Sequence, residues 1–166
     1  TSSSWFNCSQ PNPSASLRLF CFPYAGGSSY SFHSWTKKLP KTIEICPVEL
    51  PGRGIQMNSN LLNHIEPLVQ AIEREILPYL NKPFAFFGHS MGGLVSFELV
   101  HLLDRKYNLQ PVHLFVSGCR APQINNPKPP IHNLPEPDFL NEIRRFNGTP
   151  EAVLNNIDQK LQHLTL

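Results

Sequence analysis

The ten residues from 84 to 93 constrain the fold of this chain more than any other stretch. They read Phe84-Ala-Phe-Phe-Gly-His-Ser-Met-Gly-Gly93, and their first four apolar residues predict a short buried strand. The apolar run Leu94–Leu103 that follows is rich in good helix formers. A Cβ at Gly88 or Gly92 would crowd this strand against this helix. We therefore expect a sharp strand–turn–helix unit of an α/β sheet.

A serine at the centre of the turn indicates nucleophilic chemistry. The stretch Gly88-His-Ser-Met-Gly92 matches the G-x-S-x-G pattern, whose turn lifts the serine Oγ clear of the sheet. The start of the next helix also presents free N–H groups and a partial positive charge. Ser90 is the predicted nucleophile, and its turn is shaped by Gly88, His89 and Gly92. The alternative is that Ser90 is the N-cap of an ordinary strand–helix turn.

Alternating strands and helices predict a mostly parallel sheet with flanking helices. The strands are expected at 17–22, 43–49, 84–87 and 112–117, and Pro47 favours an edge position for the second. Helices are expected at 30–38, at 63–80 with Asn63 as its N-cap, and from the serine turn to about Asn108. Trp5 and Phe6 are expected to anchor the N-terminal segment. In such folds the chemistry lies at the carboxyl ends of the strands.

The loop after the first strand, residues 23–27, is the expected partner of the serine. An oxyanion needs two N–H donors, and in this architecture one comes from the residue after the nucleophile, here Met91. The second comes from a loop after an early strand, and we expect it to be the N–H of Ala25. The loop is shaped by Tyr24, Gly26 and Gly27. The alternative is a plain turn without this role.

Beyond residue 122 the pattern changes to a proline-rich connector followed by helices. A helix is expected at 136–146, and a second one is expected to begin at Thr149-Pro-Glu151. The predicted organisation is a core at residues 1–122 and a connector with a helical lid at 123–166. The alternative is that these helices simply pack on the sheet.

Composition excludes several classes of function. The net charge of +2 and charged fraction of 16% argue against a nucleic-acid partner. There is no membrane-spanning apolar run, and the N-terminus lacks the regions of a signal peptide, so we expect a cytoplasmic protein without a membrane partner. The histidines have no metal-ligand spacing, and no dinucleotide fingerprint is present. Cys21 and Cys46 are expected to be buried, reduced thiols.

Five motifs, in order, resemble the type II thioesterases, which are stand-alone α/β-hydrolases of nonribosomal peptide and polyketide synthase pathways. They lie at 22–27, 50–54, 84–92, 115–122 and 146–150. The resemblance runs from about Trp5 to the end of the chain. It implies hydrolysis of acyl or aminoacyl thioesters on the phosphopantetheine arm of carrier proteins, without a cofactor, by a protein that is monomeric at full length. By this resemblance Ser90 is the nucleophile, and Ala25 and Met91 form the oxyanion hole.

The expected acid and base of a Ser–Asp–His triad have no clear counterpart. In this fold they follow the serine in the order Asp, then His. The resembling family carries them on loops after later strands, whereas this sequence reaches Leu166 in lid-like residues. Asp138 or Asp158 with His132 or His163 follow no strand, so we do not expect a triad from them. We expect the C-terminal strands to be missing, which leaves strand 112–117 as an unpaired, apolar edge and favours poor solubility or pairing with another chain.

Two other functions fit the same residues. One is a carboxylesterase or lipase on the same fold, which would prefer an oxygen ester to an acyl-pantetheine. The other is a non-catalytic module that binds carrier proteins, for which Ser90→Ala would change nothing.

Overall fold

The computed structural model describes residues 4–8, 12–52, 54–56, 64–124, 134–146 and 150–155. The chain forms two compact units, Thr1–Ile124 and Asn125–Leu166.

The first unit contains a four-stranded parallel sheet. Its strands are β1 (Leu17–Phe22), β2 (Ile43–Pro47), β3 (Phe84–His89) and β4 (His113–Ser117), in the order β2-β1-β3-β4. The parallel sheet is confirmed, and Pro47 ends an edge strand as predicted. In the described part of the chain β4 is the other edge, and Phe115 and Val116 on it are exposed. All four carboxyl ends lie at one edge of the sheet, because the strands run in the same direction.

Two long helices pack beside the sheet. Helix α1 (Ile65–Ile76) begins after His64, one position later than the predicted cap Asn63, which lies outside the described residues. It changes at Pro78 into the 3₁₀ turn Leu77–Tyr79, since proline has no N–H to continue the helix. Helix α2 (Met91–Tyr107) ends at Asn108 in the left-handed conformation, close to the predicted end. None of the described helices is both long and apolar enough to cross a membrane.

The helix predicted at 30–38 is a 3₁₀ helix, Ser29–Lys37. Its apolar residues Phe32 and Trp35 are three positions apart, which matches the three residues per turn of this helix type. Both aromatic rings pack edge-on against Phe87 of β3. A second, short 3₁₀ turn spans Gly54–Gln56.

The two faces of the sheet bury different residues. Phe20, Phe22 and Phe86 pack with apolar side chains of α1 and α2, whereas Leu19 and Ala85 belong to the cluster that contains Phe32. This alternation follows from the two-residue repeat of a strand. Both faces are therefore covered, as expected of a parallel sheet.

The N-terminal segment is anchored to the rest of the first unit, as predicted, and the contact lies just after β2. Phe6 is 4% exposed and forms an antiparallel bridge with Val48. The same pairing brings Cys8 beside Cys46, and the two form a disulfide. The prediction of a free thiol at Cys46 was therefore wrong, although the residue is buried; Cys21 is buried and free, as expected.

The second unit contains α3 (Glu136–Phe146), at the predicted bounds, and a helical stretch at 151–155. Arg144 of α3 pairs with Glu151, with 3.2 Å between Nε and Oε1. Leu140 and Leu154 are buried. The predicted cap Thr149 lies outside the described residues.

Candidate active site

Ser90 occupies the sharp turn between β3 and α2. Its φ is 53° and its ψ is −116°, a conformation that L-residues rarely adopt. Such a residue stores about 1–3 kcal/mol of strain and persists only where its surroundings hold it. Here its N–H donates to the Ser117 carbonyl at 2.8 Å, and its own carbonyl accepts from the Gly93 N–H at 2.9 Å. The strand–turn–helix prediction is confirmed.

The conformation of Ser90 differs from that of an ordinary N-cap. An ordinary cap has an extended backbone, and its side-chain oxygen accepts a hydrogen bond from the first turn. Ser90 has a positive φ, and its side chain makes no capping hydrogen bond. The hydroxyl is therefore not used by the helix, and Ser90 is half-buried rather than sealed in the core.

The glycines of the turn bring α2 against the end of β1. A Cβ at Gly92 would lie 2.2 Å from the Phe22 carbonyl oxygen and 2.7 Å from that of Pro23. A Cβ at Gly88 would lie 2.2 Å from the Gly92 carbonyl oxygen. Both approaches are possible only without a side chain. The serine turn therefore contacts the backbone from which the predicted oxyanion loop leaves.

The loop at 23–27, in which we predict an oxyanion donor, is a tight turn at the carboxyl end of β1. The Gly27 N–H donates to the Tyr24 carbonyl at 2.9 Å, and Gly26 has a φ of 82°, the conformation that a type II turn requires at its third position. The Ala25 N–H takes no part in this closing bond, and Tyr24, Ala25 and Gly26 are exposed. At the start of α2, the Met91 N–H has no acceptor within its own helix.

The His89 ring, at the end of β3, contacts two of the loops at this edge of the sheet. It lies edge-on to the Tyr24 ring, with centroids 5.9 Å apart, and its Nδ1 is 3.2 Å from Ser117 Oγ. Gly118 has a φ of 63°, and a Cβ there would lie 2.4 Å from the His89 ring. His89 therefore contacts the loop after β1 and the loop after β4.

Cys119, also at this edge of the sheet, is a poor alternative nucleophile. Its Sγ would be 2.7 Å from a Cβ at Gly93, which places it beside the start of α2. Desolvation by neighbouring atoms raises the pKa of this thiol, although the residue is exposed overall. The thiol is therefore protonated at neutral pH, and the thiolate is the reactive form.

One buried acid near these loops was missed in the sequence. Glu49 is 1% exposed, and its carboxylate accepts from Ser29 Oγ at 2.6 Å and from the Ser29 N–H at 3.3 Å. The available signal was an acidic residue between the apolar residues Val48 and Leu50 at the end of a strand. A carboxylate in such a place must find hydrogen-bond donors.

Of the four residues weighed as triad acid or base, the structure describes Asp138, so the absence of a triad stays a prediction. Asp138 is exposed and belongs to the second unit, whereas Asp158, His132 and His163 lie outside the described residues. The described residues also contain no group of three or more potential ligands for a metal ion.

Comparison with known proteins identifies the class. The model of the thioesterase domain family matches residues 17–165, so the chain belongs to the thioesterase family. The gramicidin S biosynthesis protein GrsT of Aneurinibacillus migulanus is 47% identical over 154 residues, which cover 93% of this chain and 60% of GrsT.

Two solved thioesterase structures are similar to this chain. The RedJ thioesterase of the prodiginine pathway in Streptomyces coelicolor matches with a TM-score of 0.78 and 35% identity, covering 91% of this chain and 57% of that one. The type II thioesterase BorB of the borrelidin cluster matches with a TM-score of 0.75 and 28% identity, covering 89% and 62%. The α/β-hydrolase fold and the resemblance to type II thioesterases are confirmed. The chain spans about 60% of the length of GrsT.

Proposed function

We propose that this protein hydrolyses acyl or aminoacyl thioesters held on the phosphopantetheine arm of carrier proteins, in an editing or release role. The observation that carries the proposal is Ser90, held at a positive φ beside the start of α2, with Gly92 against the backbone of the 23–27 loop. Membership of the thioesterase family and the similarity to GrsT and RedJ, both named for biosynthetic pathways, support this substrate class.

In the proposed reaction the Ser90 Oγ attacks the thioester carbonyl and loses its proton to a base. The N–H groups of Ala25 and Met91 donate to the oxyanion that forms, and the positive end of α2 adds favourable charge. The tetrahedral intermediate expels the pantetheine thiolate and leaves an acyl-serine, which water then hydrolyses. A thiolate leaves more easily than an amine, so the first step needs little general-acid help. No cofactor is needed for either step.

The wider organisation belongs to the same proposal. Residues 1–122 supply the nucleophile and the oxyanion donors, and residues 123–166 act as the connector and lid. Support for the lid comes from α3, an amphipathic helix in which Leu140 is buried and Asn141 is exposed. A carrier protein is the proposed partner, because it holds the substrate arm.

The substrate class is tested by comparing an acyl-pantetheine thioester with an oxygen ester of the same acyl group, using the natural protein that contains this sequence. We expect kcat/KM to be higher for the thioester, and higher again for the acyl group loaded on a carrier protein. Preference for the oxygen ester would favour a carboxylesterase. Carrier binding without turnover, unchanged in Ser90→Ala, would favour a binding module.

A further inference from the structure

We propose that Glu49 is a positioning residue, which holds the far end of the 23–29 segment and thereby places the N–H of Ala25. The proposal rests on the proposed function in assigning Ala25 to the oxyanion. The anchoring of Ser29 by Glu49 is independent of that assignment, because it depends on the contacts between these two residues.

The Glu49 carboxylate uses both oxygens on one residue. Oε2 accepts from Ser29 Oγ at 2.6 Å, and Oε1 accepts from the Ser29 N–H at 3.3 Å. Ser29 is itself only 6% exposed, so few waters replace these bonds if the carboxylate is removed. Two buried donors would then lose their acceptor, which is unfavourable because a buried polar group without a partner loses its hydration as well.

Both the backbone and the side chain of Glu49 make contacts that fix its position. Its N–H donates to the Trp5 carbonyl at 2.8 Å, and its carbonyl accepts from Gln56 Nε2 at 2.7 Å. The carboxylate fills the space beside Gly54, where a Cβ would lie 2.4 Å from Oε2. The backbone and side chain of Glu49 are therefore both fixed, which suits a residue that must hold another in place.

Ser29 closes the segment that begins at the end of β1. At the near end, the Phe22 and Pro23 carbonyls pack against Gly92, and the Gly27 N–H closes its turn on Tyr24. At the far end, Ser29 begins the 3₁₀ helix and is bound by Glu49. Ala25 lies between these two attachments. Loss of the Glu49 contact leaves the far end attached through the 3₁₀ helix that follows, whose first buried aromatic residue is Phe32, and so loosens residues 28–29. The placement of a donor is sensitive to shifts of about 1 Å.

A cavity beside this contact favours local loosening over collapse. It has a volume of about 250 Å³ and is bordered by Ser28, Ser29, Glu49 and Gly54. A shortened side chain at position 49 enlarges this space, which is partly open to solvent, so water can enter it. The expected response to Glu49→Ala is therefore movement of the 28–29 segment rather than repacking of the core.

The test measures loop order and catalysis separately in the natural protein that contains this sequence. Glu49→Ala is compared with Glu49→Gln, which keeps an acceptor for the Ser29 N–H. The matched control is Glu73→Ala, since Glu73 is 2% exposed and bonds to Lys106 and Tyr107 of α2. Amide hydrogen exchange reports on residues 24–29, and steady-state kinetics with an acyl-pantetheine gives kcat and KM at a temperature where all variants are folded.

We expect faster exchange at 24–29 and a fall in kcat of about 10- to 100-fold, with little change in KM, only in Glu49→Ala. Glu49→Gln should keep most of the slow exchange at 24–29 and most of kcat. Glu73→Ala should lower the stability without changing exchange at 24–29 or kcat. Unchanged exchange at 24–29 in Glu49→Ala would overturn the anchoring. Faster exchange with an unchanged kcat would overturn the positioning role. Absence of turnover in the unsubstituted protein would instead overturn the proposed function, and the exchange data would still decide the anchoring.

Discussion

Replacement of Gly92 by alanine should damage catalysis more than the same replacement at the neighbouring Gly93. The new Cβ would lie 2.2 Å from the Phe22 carbonyl oxygen, 2.6 Å from its carbon and 2.7 Å from the Pro23 oxygen. All three atoms belong to the backbone, so no rotation of a side chain relieves the contact. Cβ atoms in proteins essentially never approach another heavy atom closer than 3.0 Å. To lengthen the 2.2 Å distance between the new Cβ and the Phe22 oxygen to this limit, α2 and the end of β1 must separate by about 0.8 Å.

The parts that separate are those that carry the two proposed oxyanion donors. Met91 is at the start of α2, and Ala25 lies three residues beyond Phe22. A displacement of this size can cost about 10²-fold in rate, and overpacking typically costs about 1–3 kcal/mol of stability. We therefore expect kcat/KM to fall by about 100-fold in Gly92→Ala, with a measurable loss of stability.

The matched control is Gly93→Ala, in the same turn of α2. Its Cβ would lie 2.7 Å from Cys119 Sγ, the movable end of an exposed side chain, and 3.1 Å from Val116 Cγ1. Both variants gain the same helix propensity, so this term cancels in the comparison. Kinetics with an acyl-pantetheine and urea unfolding measure both effects. If Gly92→Ala retained the activity and stability of Gly93→Ala, the close approach at Gly92 would have no such role.

Two further predictions concern stability. Burial alone would raise the pKa of Glu44, but the hydrogen bond and charge of Arg18, with the Asn12 N–H and Lys82, lower it below its ordinary value. The stability that ionised Glu44 contributes is therefore present above its unfolded pKa and is lost as the pH falls through the acid range below about pH 5. The urea midpoint should fall less steeply with decreasing pH in Glu44→Gln than in the unsubstituted protein. Equal slopes of midpoint against pH in the two proteins would contradict this. Reduction of the Cys8–Cys46 disulfide, whose cysteines are 38 residues apart, should lower the free energy of unfolding by about 3–4 kcal/mol. A Cys8→Ala variant should show no response to reductant, and a continued response would point to another thiol.

Patterns of neighbouring residues predicted much of the local structure around Ser90. The turn at Ser90 was recognisable because an apolar strand, a glycine-flanked serine and a helix follow one another directly. The position of the 23–27 loop followed from parallel strands, whose carboxyl ends meet at one edge. The edge position of β2 followed from Pro47, which cannot donate to a ladder.

Features that depend on distant contacts were not predictable in the same way. The Cys8–Cys46 disulfide depends on the antiparallel bridge between Phe6 and Val48, which no local pattern indicates. The contact of Glu49 with Ser29 joins residues 20 positions apart through the packing of a turn. The 3₁₀ form of Ser29–Lys37 reflects packing of Phe32 and Trp35 on Phe87 rather than propensity alone.

The central claim is that the Ser90 hydroxyl carries out thioester hydrolysis. The most direct measurement is turnover of a short acyl-pantetheine by the natural protein that contains this sequence, beside Ser90→Ala and Ser96→Ala. Ser96 is a matched control, because it is buried in α2, the helix that directly follows Ser90, and its Oγ donates to the Gly93 carbonyl at 3.0 Å. We predict that Ser90→Ala abolishes turnover while remaining folded by circular dichroism, and that Ser96→Ala remains active. Undiminished turnover in a folded Ser90→Ala variant would contradict the claim.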